Sequence, residues 1–200
     1  MKKMDNQVYQ FKIALMGFTP QIWRRIQVPE TYTFWALHVA IQSAMDWGGH
    51  HLHYFTILNP KTGEMDEIGI PDEDLDEREA QEGWKVKIAR YFSMTNKKAV
   101  YLYDFGDYWE HSVVLEKILP KDLKTRYPCC IAGKRSPPPD DVGGVSGFEN
   151  FIEIMKDPDD DEHDETVQWY GGKFDLEAFD CKNIRFLNPA EMLRLMNEDE

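Results

Sequence analysis

Polar and apolar residues alternate near the start of the chain, which predicts two paired strands. From Tyr9 to Leu15, every second side chain is aromatic or aliphatic, a period that buries one face of a strand. In the segment 22–28, Ile22, Ile26 and Val28 share one parity, and a proline lies on each side of the segment. We therefore predict a second strand there, paired with the first.

A helix is predicted next, because apolar residues recur at a spacing of three and four. Thr33 can cap its first turn, and Gly48 and Gly49 can end it. Segment 51–58 then alternates again and predicts a third strand. His51 and His53 would lie on the same face of that strand.

The middle of the chain combines an acidic stretch with a clear hairpin. Residues 59–83 are predicted to be irregular and solvated, and Trp84 to Ile88 a short strand. Ala99 to Asp104 and Trp109 to Leu119 predict a hairpin, since a four-residue connection with a glycine joins them.

The C-terminal part predicts a proline-rich loop followed by helices. Residues 134–147 contain closely spaced prolines and glycines. A capping box from Ser146 to Glu149 predicts the start of one helix. A short helix is predicted around Val167, and a last helix starts at Asn188 and Pro189. Strands and helices are partly segregated, so the pattern favours the α+β class. We expect a single domain over 1–200, with its core at about 8–188, in which a mostly antiparallel sheet packs against a helix of the N-terminal half and the C-terminal helices.

Composition and charge narrow the expected partners. The chain of 200 residues has a formal net charge of -13, which disfavours general binding to nucleic acid. It contains three cysteines and no apolar run long enough to span a bilayer. We expect a soluble, cytoplasmic protein with no membrane association, for which a protein partner is compatible with the charge.

The segment from Asp104 to His111 concentrates side chains that could do chemistry. Asp104, Asp107 and Glu110 supply three carboxylates, and His111 supplies an imidazole. Such donors suit a divalent metal or acid–base catalysis. A turn with capping aspartates explains the same residues without any function. The sequence leaves both interpretations open.

Other candidate residues lie outside that segment. His51 and His53 could hold one ion together, so the metal candidates are His51, His53, Asp104 and His111. His38 and His111 fall on apolar faces, which is also typical of core histidines. Arg24 is expected to turn toward the core and to pair with an aspartate. The wider polar cluster comprises Arg24, His38, His51, His53, Asp104, Asp107, Trp109, Glu110, His111, Asp140 and Asp141.

Several motifs in a fixed order resemble those of the plasmid pRiA4b ORF-3-like family. They are Pro20-x-Ile-Trp-Arg-Arg25, Leu37-His38, Ile41-Gln42, His51-Leu-His53-x-Phe55, Tyr101-x-Tyr-Asp-Phe-Gly-Asp-x-Trp109-x-His111, Pro138-Pro-Asp-Asp-x-Gly-Gly144, Trp169 and Phe174-Asp-x-x-x-Phe-Asp180. The resemblance covers about 9–187 and implies a single α+β domain, with some family members carried by plasmids or mobile elements. It implies no settled activity.

This chain departs from the family pattern in the proline-rich loop. Pro137 and Val142 stand where many members have cysteine, and Asp140 stands where the family has glutamate. That difference argues against a metal site built on thiolates.

Two functional hypotheses follow. The first is a non-catalytic binding or interaction domain with a groove lined by Trp23, Trp109, Trp169 and tyrosines. The alternative is a metal-dependent hydrolase, in which His51, His53, Asp104, Asp107, Glu110 and His111 surround an ion that activates water. A divalent metal is the only cofactor that this donor set suggests.

Overall fold

The structure, a computed structural model, describes residues 6–71 and 80–198. Its strands are β1 (Gln7–Leu15), β2 (Trp23–Pro29), β3 (His53–Leu58), β4 (Met65–Gly69), β5 (Gln81–Glu82), β6 (Lys98–Tyr103), β7 (Trp109–Pro120) and β8 (Cys129–Lys134). Its helices are α1 (Phe34–Met45), α2 (Gly144–Lys156), α3 (His163–Tyr170) and α4 (Pro189–Glu198).

One sheet organises the described part of the chain. Its eight strands run in the order β5-β4-β3-β6-β7-β1-β2-β8. Neighbouring strands are antiparallel except for β4 and β5. The expected α+β fold with a mostly antiparallel sheet is confirmed. Within the described residues, no helix has both the length and the apolar character needed to cross a membrane.

Helix α1 forms the centre of the layer that covers the sheet. All twelve of its residues are buried, so its side chains are surrounded by strands on one side and by α4 and neighbouring loops on the other. The predicted cap is present, since the Ala36 amide donates to Thr33 Oγ1 at 3.2 Å. The helix ends at Asp46, whose φ of 57° is left-handed, just before the two glycines.

The two strongest strand predictions are confirmed. β1 pairs with β2 along its length, with Phe11 opposite Ile26. β6 pairs with β7, with Tyr101 opposite His111 and Tyr103 opposite Trp109. Those four residues of β6 and β7 are all buried, so this hairpin contributes its inward face to the core.

Two strands lie in the described part of the segment predicted to be irregular. Strands β4 and β5 lie within the segment 59–83 that was predicted to be irregular, while residues 72–79 lie outside the described part. The predicted strand from Trp84 to Ile88 is wrong: a turn occupies it, with one bridge at Lys87 and a 3₁₀ turn from Ile88. β8 was not predicted, although it extends the sheet beside β2.

The predicted start of α4 is confirmed, and α2 begins two residues earlier than predicted. In α4 the Ala190 amide donates to Asn188 Oδ1 at 3.0 Å, so the predicted cap is present. The predicted capping box is wrong, because α2 starts at Gly144, before Ser146, and has Gly143 as its N-cap. Gly143 adopts a φ of 92°, a backbone conformation that glycine accepts without strain.

Candidate metal centre

Three loops meet at one edge of the sheet. His53, Tyr103 and Trp109 are neighbours across β3, β6 and β7, so the segment before β3 and the turn from 104 to 108 emerge side by side. The proline-rich loop joins them from the end of β8. Its contacts are specific: Trp47 Nε1 donates to the Pro138 carbonyl at 2.9 Å, and the Gly48 amide donates to Asp140 Oδ2 at 2.8 Å.

The turn between β6 and β7 fixes the carboxylate of Asp104. Asp104 has a φ of 58°, which aspartate tolerates better than most residues. Its Oδ1 accepts the Gly106 amide at 2.8 Å and the Asp107 amide at 3.3 Å. Those bonds leave Oδ2 to face His51, at 3.6 Å from the imidazole Nε2.

A close backbone approach holds the third loop against this turn. Asp107 Oδ2 accepts the Gly143 amide at 3.1 Å. A Cβ at Gly144 would lie 2.5 Å from the Asp107 carbonyl oxygen, so only glycine permits this contact. The contact positions the neighbouring Asp141, which has a φ of 59°.

His51, Asp104 and Asp141 converge as a result. His51 Nε2 lies 3.1 Å from Asp141 Oδ1, and one donor atom from each of the three residues falls within 4.8 Å of the others. Asp104 is largely buried, while His51 and Asp141 are open to solvent. One imidazole and two carboxylates can bind a divalent cation. The imidazole Nε2 also contacts both carboxylates directly, so a polar contact among the three side chains explains the same geometry.

We call the group formed by His51, Asp104 and Asp141 the rim. Behind the rim lies a layer of buried histidines and aromatic rings. His38 and His53 stack with their centroids 3.5 Å apart and their planes at 4°. His38 Nδ1 and the Tyr101 hydroxyl are 2.8 Å apart, and Gln42 Nε2 donates to the same hydroxyl at 2.8 Å. His53 therefore belongs to the core, and the structure does not bring it together with His51 around one ion.

His111 is also part of this layer. It is fully buried, its Nδ1 lies 3.1 Å from the Trp109 carbonyl, and its ring contacts Trp47. Burial lowers the pKa of His53 to about 3 and that of His111 to about 4, and it lowers the pKa of His38 well below its usual range. All three imidazoles are therefore neutral at pH 7.

Several polar atoms of the buried layer have no hydrogen-bond partner among the described residues. They are Gln42 Oε1, both ring nitrogens of His53, the Tyr103 hydroxyl and His111 Nε2. Tyr103 connects the layer to the rim, because its ring lies 5.7 Å from that of His51. Unpaired buried polar atoms are rare and lower stability, so this layer is unusual for a core.

The remaining candidates are dispersed. Asp107 and Asp140 hold the loops together through the amides of Gly143 and Gly48. Glu110 alternates with the inward-facing Trp109 and His111 and so points to the opposite face of the sheet.

Arg24 lies away from the rim, on β2. The predicted aspartate partner is wrong, because its guanidinium donates to backbone carbonyls, including that of Ala44 at 2.8 Å.

A groove adjoins the rim at Asp141. It has a volume of about 280 Å³, and its wall includes Phe151 and the half-exposed Trp169. The groove predicted from three tryptophans is wrong in composition. Trp109 is buried, and Trp23 faces Lys12 and Arg25 on the outer side of the sheet.

Comparison with known proteins identifies the family. The family model described as "Plasmid pRiA4b ORF-3-like protein" matches residues 7–183. The chain belongs to this family. The "Uncharacterized protein y4hQ" of Sinorhizobium fredii (strain NBRC 101917 / NGR234) is 34% identical over 189 residues, which cover 94% of this chain and 92% of that protein.

A solved structure has a similar fold. The crystal structure of the "Protein of Unknown Function MM3350" from Methanosarcina mazei Go1 is 49% identical, with a TM-score of 0.84. The match covers 90% of this chain and 99% of that one. The resemblance seen in the sequence motifs is therefore confirmed, and these relatives assign no activity to the family.

The sequence missed the part that Asp141 plays at the rim. Asp141 was in the polar cluster but not among the metal candidates, because it lies 90 positions from His51 in the chain. The adjacent glycines, Gly143 and Gly144, were its only local signal, since they permit the loop to approach the turn closely.

Proposed function

We propose that this protein binds a divalent metal ion through His51, Asp104 and Asp141. The observation that carries the proposal is the convergence of three donor atoms, each from a different loop, within 4.8 Å. Hydrogen bonds between the loops hold these donors in place before any ion arrives. Such preorganisation lowers the free energy needed to assemble a site.

The donor set favours particular ions. An imidazole nitrogen with two carboxylate oxygens suits Mn²⁺, Fe²⁺ or Zn²⁺ better than Ca²⁺, which prefers oxygen ligands alone. Three protein ligands leave at least one coordination position for water or another ligand. The exposure of His51 and Asp141 gives solvent access to that position.

The open position and the groove together support a binding role. The groove begins at Asp141, and Phe151 and Trp169 supply aromatic surface along it. A volume of about 280 Å³ accommodates one side chain or a small ligand. In this proposal the protein is a non-catalytic binding domain in which the ion contacts an anionic group of the occupant.

Metal-dependent hydrolysis is a second candidate. It is favoured by the solvent-accessible position beside the ion, because a bound water there would become more acidic. Of the residues first assigned to this role, only His51 and Asp104 reach the rim. His53 and His111 lie in the core, so they would not be ligands.

We propose that the protein works in the cytoplasm, where thiols stay reduced, and the free thiols of Cys129, Cys130 and Cys181 support this location.

Calorimetric titration of Mn²⁺ and Zn²⁺ into chelator-treated protein tests the metal site. We expect one ion per chain for the wild type and at least tenfold weaker binding for Asp104→Asn and Asp141→Asn. Asparagine tolerates the left-handed backbone at both positions and preserves the turn. Asp107→Asn is the matched control, because its carboxylate accepts the Gly143 amide and does not face His51. No saturable binding would show that His51 is only an ion-pair partner.

Activity assays separate the two candidate functions. The metal-loaded protein would be mixed with para-nitrophenyl phosphate, its phosphodiester and its acetate. A binding domain leaves all three intact. Turnover by the wild type that disappears in Asp104→Asn would replace the binding role with hydrolysis.

A further inference from the structure

A second cavity lies beside β2 and the end of α1, where Pro137 of the proline-rich loop forms part of its wall. Its volume is about 410 Å³. Its wall includes one buried cation, Arg24, and two exposed acids, Asp46 and Asp180. None of these residues belongs to the candidate metal centre.

The guanidinium of Arg24 has two donors without a partner. An arginine carries five N–H donors. Nε donates to the Ala44 carbonyl at 2.8 Å, and Nη1 donates to the carbonyls of Trp23 and Lys134 at 2.9 and 3.1 Å. Nη2 keeps both of its donors, because no described residue accepts from it. A carboxylate oxygen can accept from one of these N–H groups, and its charge complements that of the guanidinium.

This charge is held in the interior at a free-energy cost. Arg24 is 2% exposed and forms no ion pair with a described carboxylate. Desolvation lowers the pKa of Arg24 to about 10, so the group remains protonated at pH 7. A buried cation without an anion is unfavourable unless something else compensates it. Three carbonyl dipoles and the more distant carboxylate of Asp46 compensate part of the charge, and an anion in the cavity would compensate more of it.

Phe179 closes one side of the guanidinium. Its ring centroid lies 4.4 Å from the Arg24 Cζ, a cation–π contact. This ring reaches that position only because residue 133 is glycine, since a Cβ there would lie 2.5 Å from the Phe179 Cζ. The ring and the carbonyls fix the guanidinium plane, so Nη2 is presented in one orientation.

Asp46 and Asp180 add negative charge to a cavity whose other charged group is the cation Arg24. Asp46 and Asp180 line the same cavity as Arg24 without a direct ion pair, although the Asp46 carboxylate attracts the guanidinium through space. They oppose a ligand with a double negative charge, such as a phosphate monoester. They favour a ligand that carries a cationic group as well as an anionic one. The apolar surface of Phe179 and Ile184 fits a short aliphatic part between these groups.

We propose that this cavity binds a small zwitterion of the amino-acid type. The carboxylate of the ligand accepts from Arg24 Nη2, and its ammonium group lies beside the carboxylates of Asp46 and Asp180. The volume of about 410 Å³ is sufficient for a free amino acid.

Calorimetry with the individual amino acids tests the proposal in the Asp104→Asn background. That background removes the candidate metal centre, so chelation by the amino acid does not contribute to the signal. We expect saturable binding of at least one amino acid. Inorganic phosphate and the simple carboxylates acetate and propionate should bind at least tenfold more weakly.

Substitutions of the residues that line the cavity test whether the amino acid binds there. Asp46→Asn and Asp180→Asn change exposed residues and should each weaken binding about threefold to tenfold. Arg24→Lys keeps the charge, but a lysine cannot satisfy the three carbonyls and also present a donor to the cavity, so it should abolish binding. If Arg24→Lys does not fold, the two aspartate variants still decide the question. Absence of binding by every amino acid, equal binding of acetate, or unchanged binding in both aspartate variants would overturn the proposal.

Discussion

The histidines near the loop edge of the sheet fall into two environments. His38, His53 and His111 are sealed in an aromatic layer and are neutral, while His51 is half exposed between two carboxylates. His51 and His53 are separated by a single residue. The difference shows that residue type and spacing do not decide the chemistry of a histidine. The decisive factor is whether its nitrogens reach water and anions or only rings and carbonyls.

Acidification should affect the buried layer most strongly. Its three imidazoles have folded pKa values below the unfolded value near 6.5, so the unfolded chain binds more protons as the pH falls. Their neutral burial is fully stabilising above pH 6.5, and its contribution decreases toward pH 4. Three such groups would lower the free energy of unfolding by up to about 4 kcal/mol between pH 7.5 and 5.5.

Urea denaturation at pH 7.5, 6.5 and 5.5 measures this loss. His50→Gln is the control, because His50 is an exposed histidine outside the buried layer. A free energy of unfolding that stays constant over this range would contradict neutral burial of the three histidines.

The hydroxyl of Tyr101 should have the next largest effect. It is the partner of both His38 Nδ1 and Gln42 Nε2. Tyr101→Phe would leave two buried polar groups unpaired and should lower the free energy of unfolding by about 2 to 3 kcal/mol.

Tyr103→Phe is the matched control for that loss. The Tyr103 hydroxyl is buried and forms no hydrogen bond of good geometry, although the backbone amides of His50 and His51 lie near it, so its removal should cost less stability than removal of the Tyr101 hydroxyl. Chemical denaturation of both variants makes the comparison. Equal losses in the two variants would mean that the hydrogen bonds of Tyr101 contribute little.

The rim should show the smallest effect on stability. His51→Ala removes an exposed ion pair, so the metal-free protein should change by less than about 1 kcal/mol. The same variant should lose the increase in melting temperature that Mn²⁺ gives to the wild type. A large loss of stability without metal would place His51 among the structural residues.

The sequence predicted the elements with strong periodicity and missed those without it. β1, β2, α1 and the β6–β7 hairpin alternate or repeat clearly, and all are present. β4 reads Met-Asp-Glu-Ile-Gly, which has no apolar alternation, and it forms because β3 offers it hydrogen bonds. β8 likewise depends on its neighbour β2. Strands of this kind are defined by their partners rather than by their own residues.

The candidate site was predictable only in part. The sequence singled out His51, Asp104 and Asp141 as polar residues, but it could not place His51 outside the strand that begins at His53. That boundary depends on the pairing of His53 with Tyr103. The partners of Arg24 were equally hidden, because backbone carbonyls of α1 and β8 leave no mark in the sequence.

Crystals grown with Mn²⁺ test the central claim most directly. An anomalous difference map should contain one peak bonded to His51 Nε2, Asp104 Oδ2 and Asp141 Oδ1, and crystals of Asp104→Asn should lack it. A map with no peak between these three residues, in protein that shows the rim geometry described above, would contradict the metal centre.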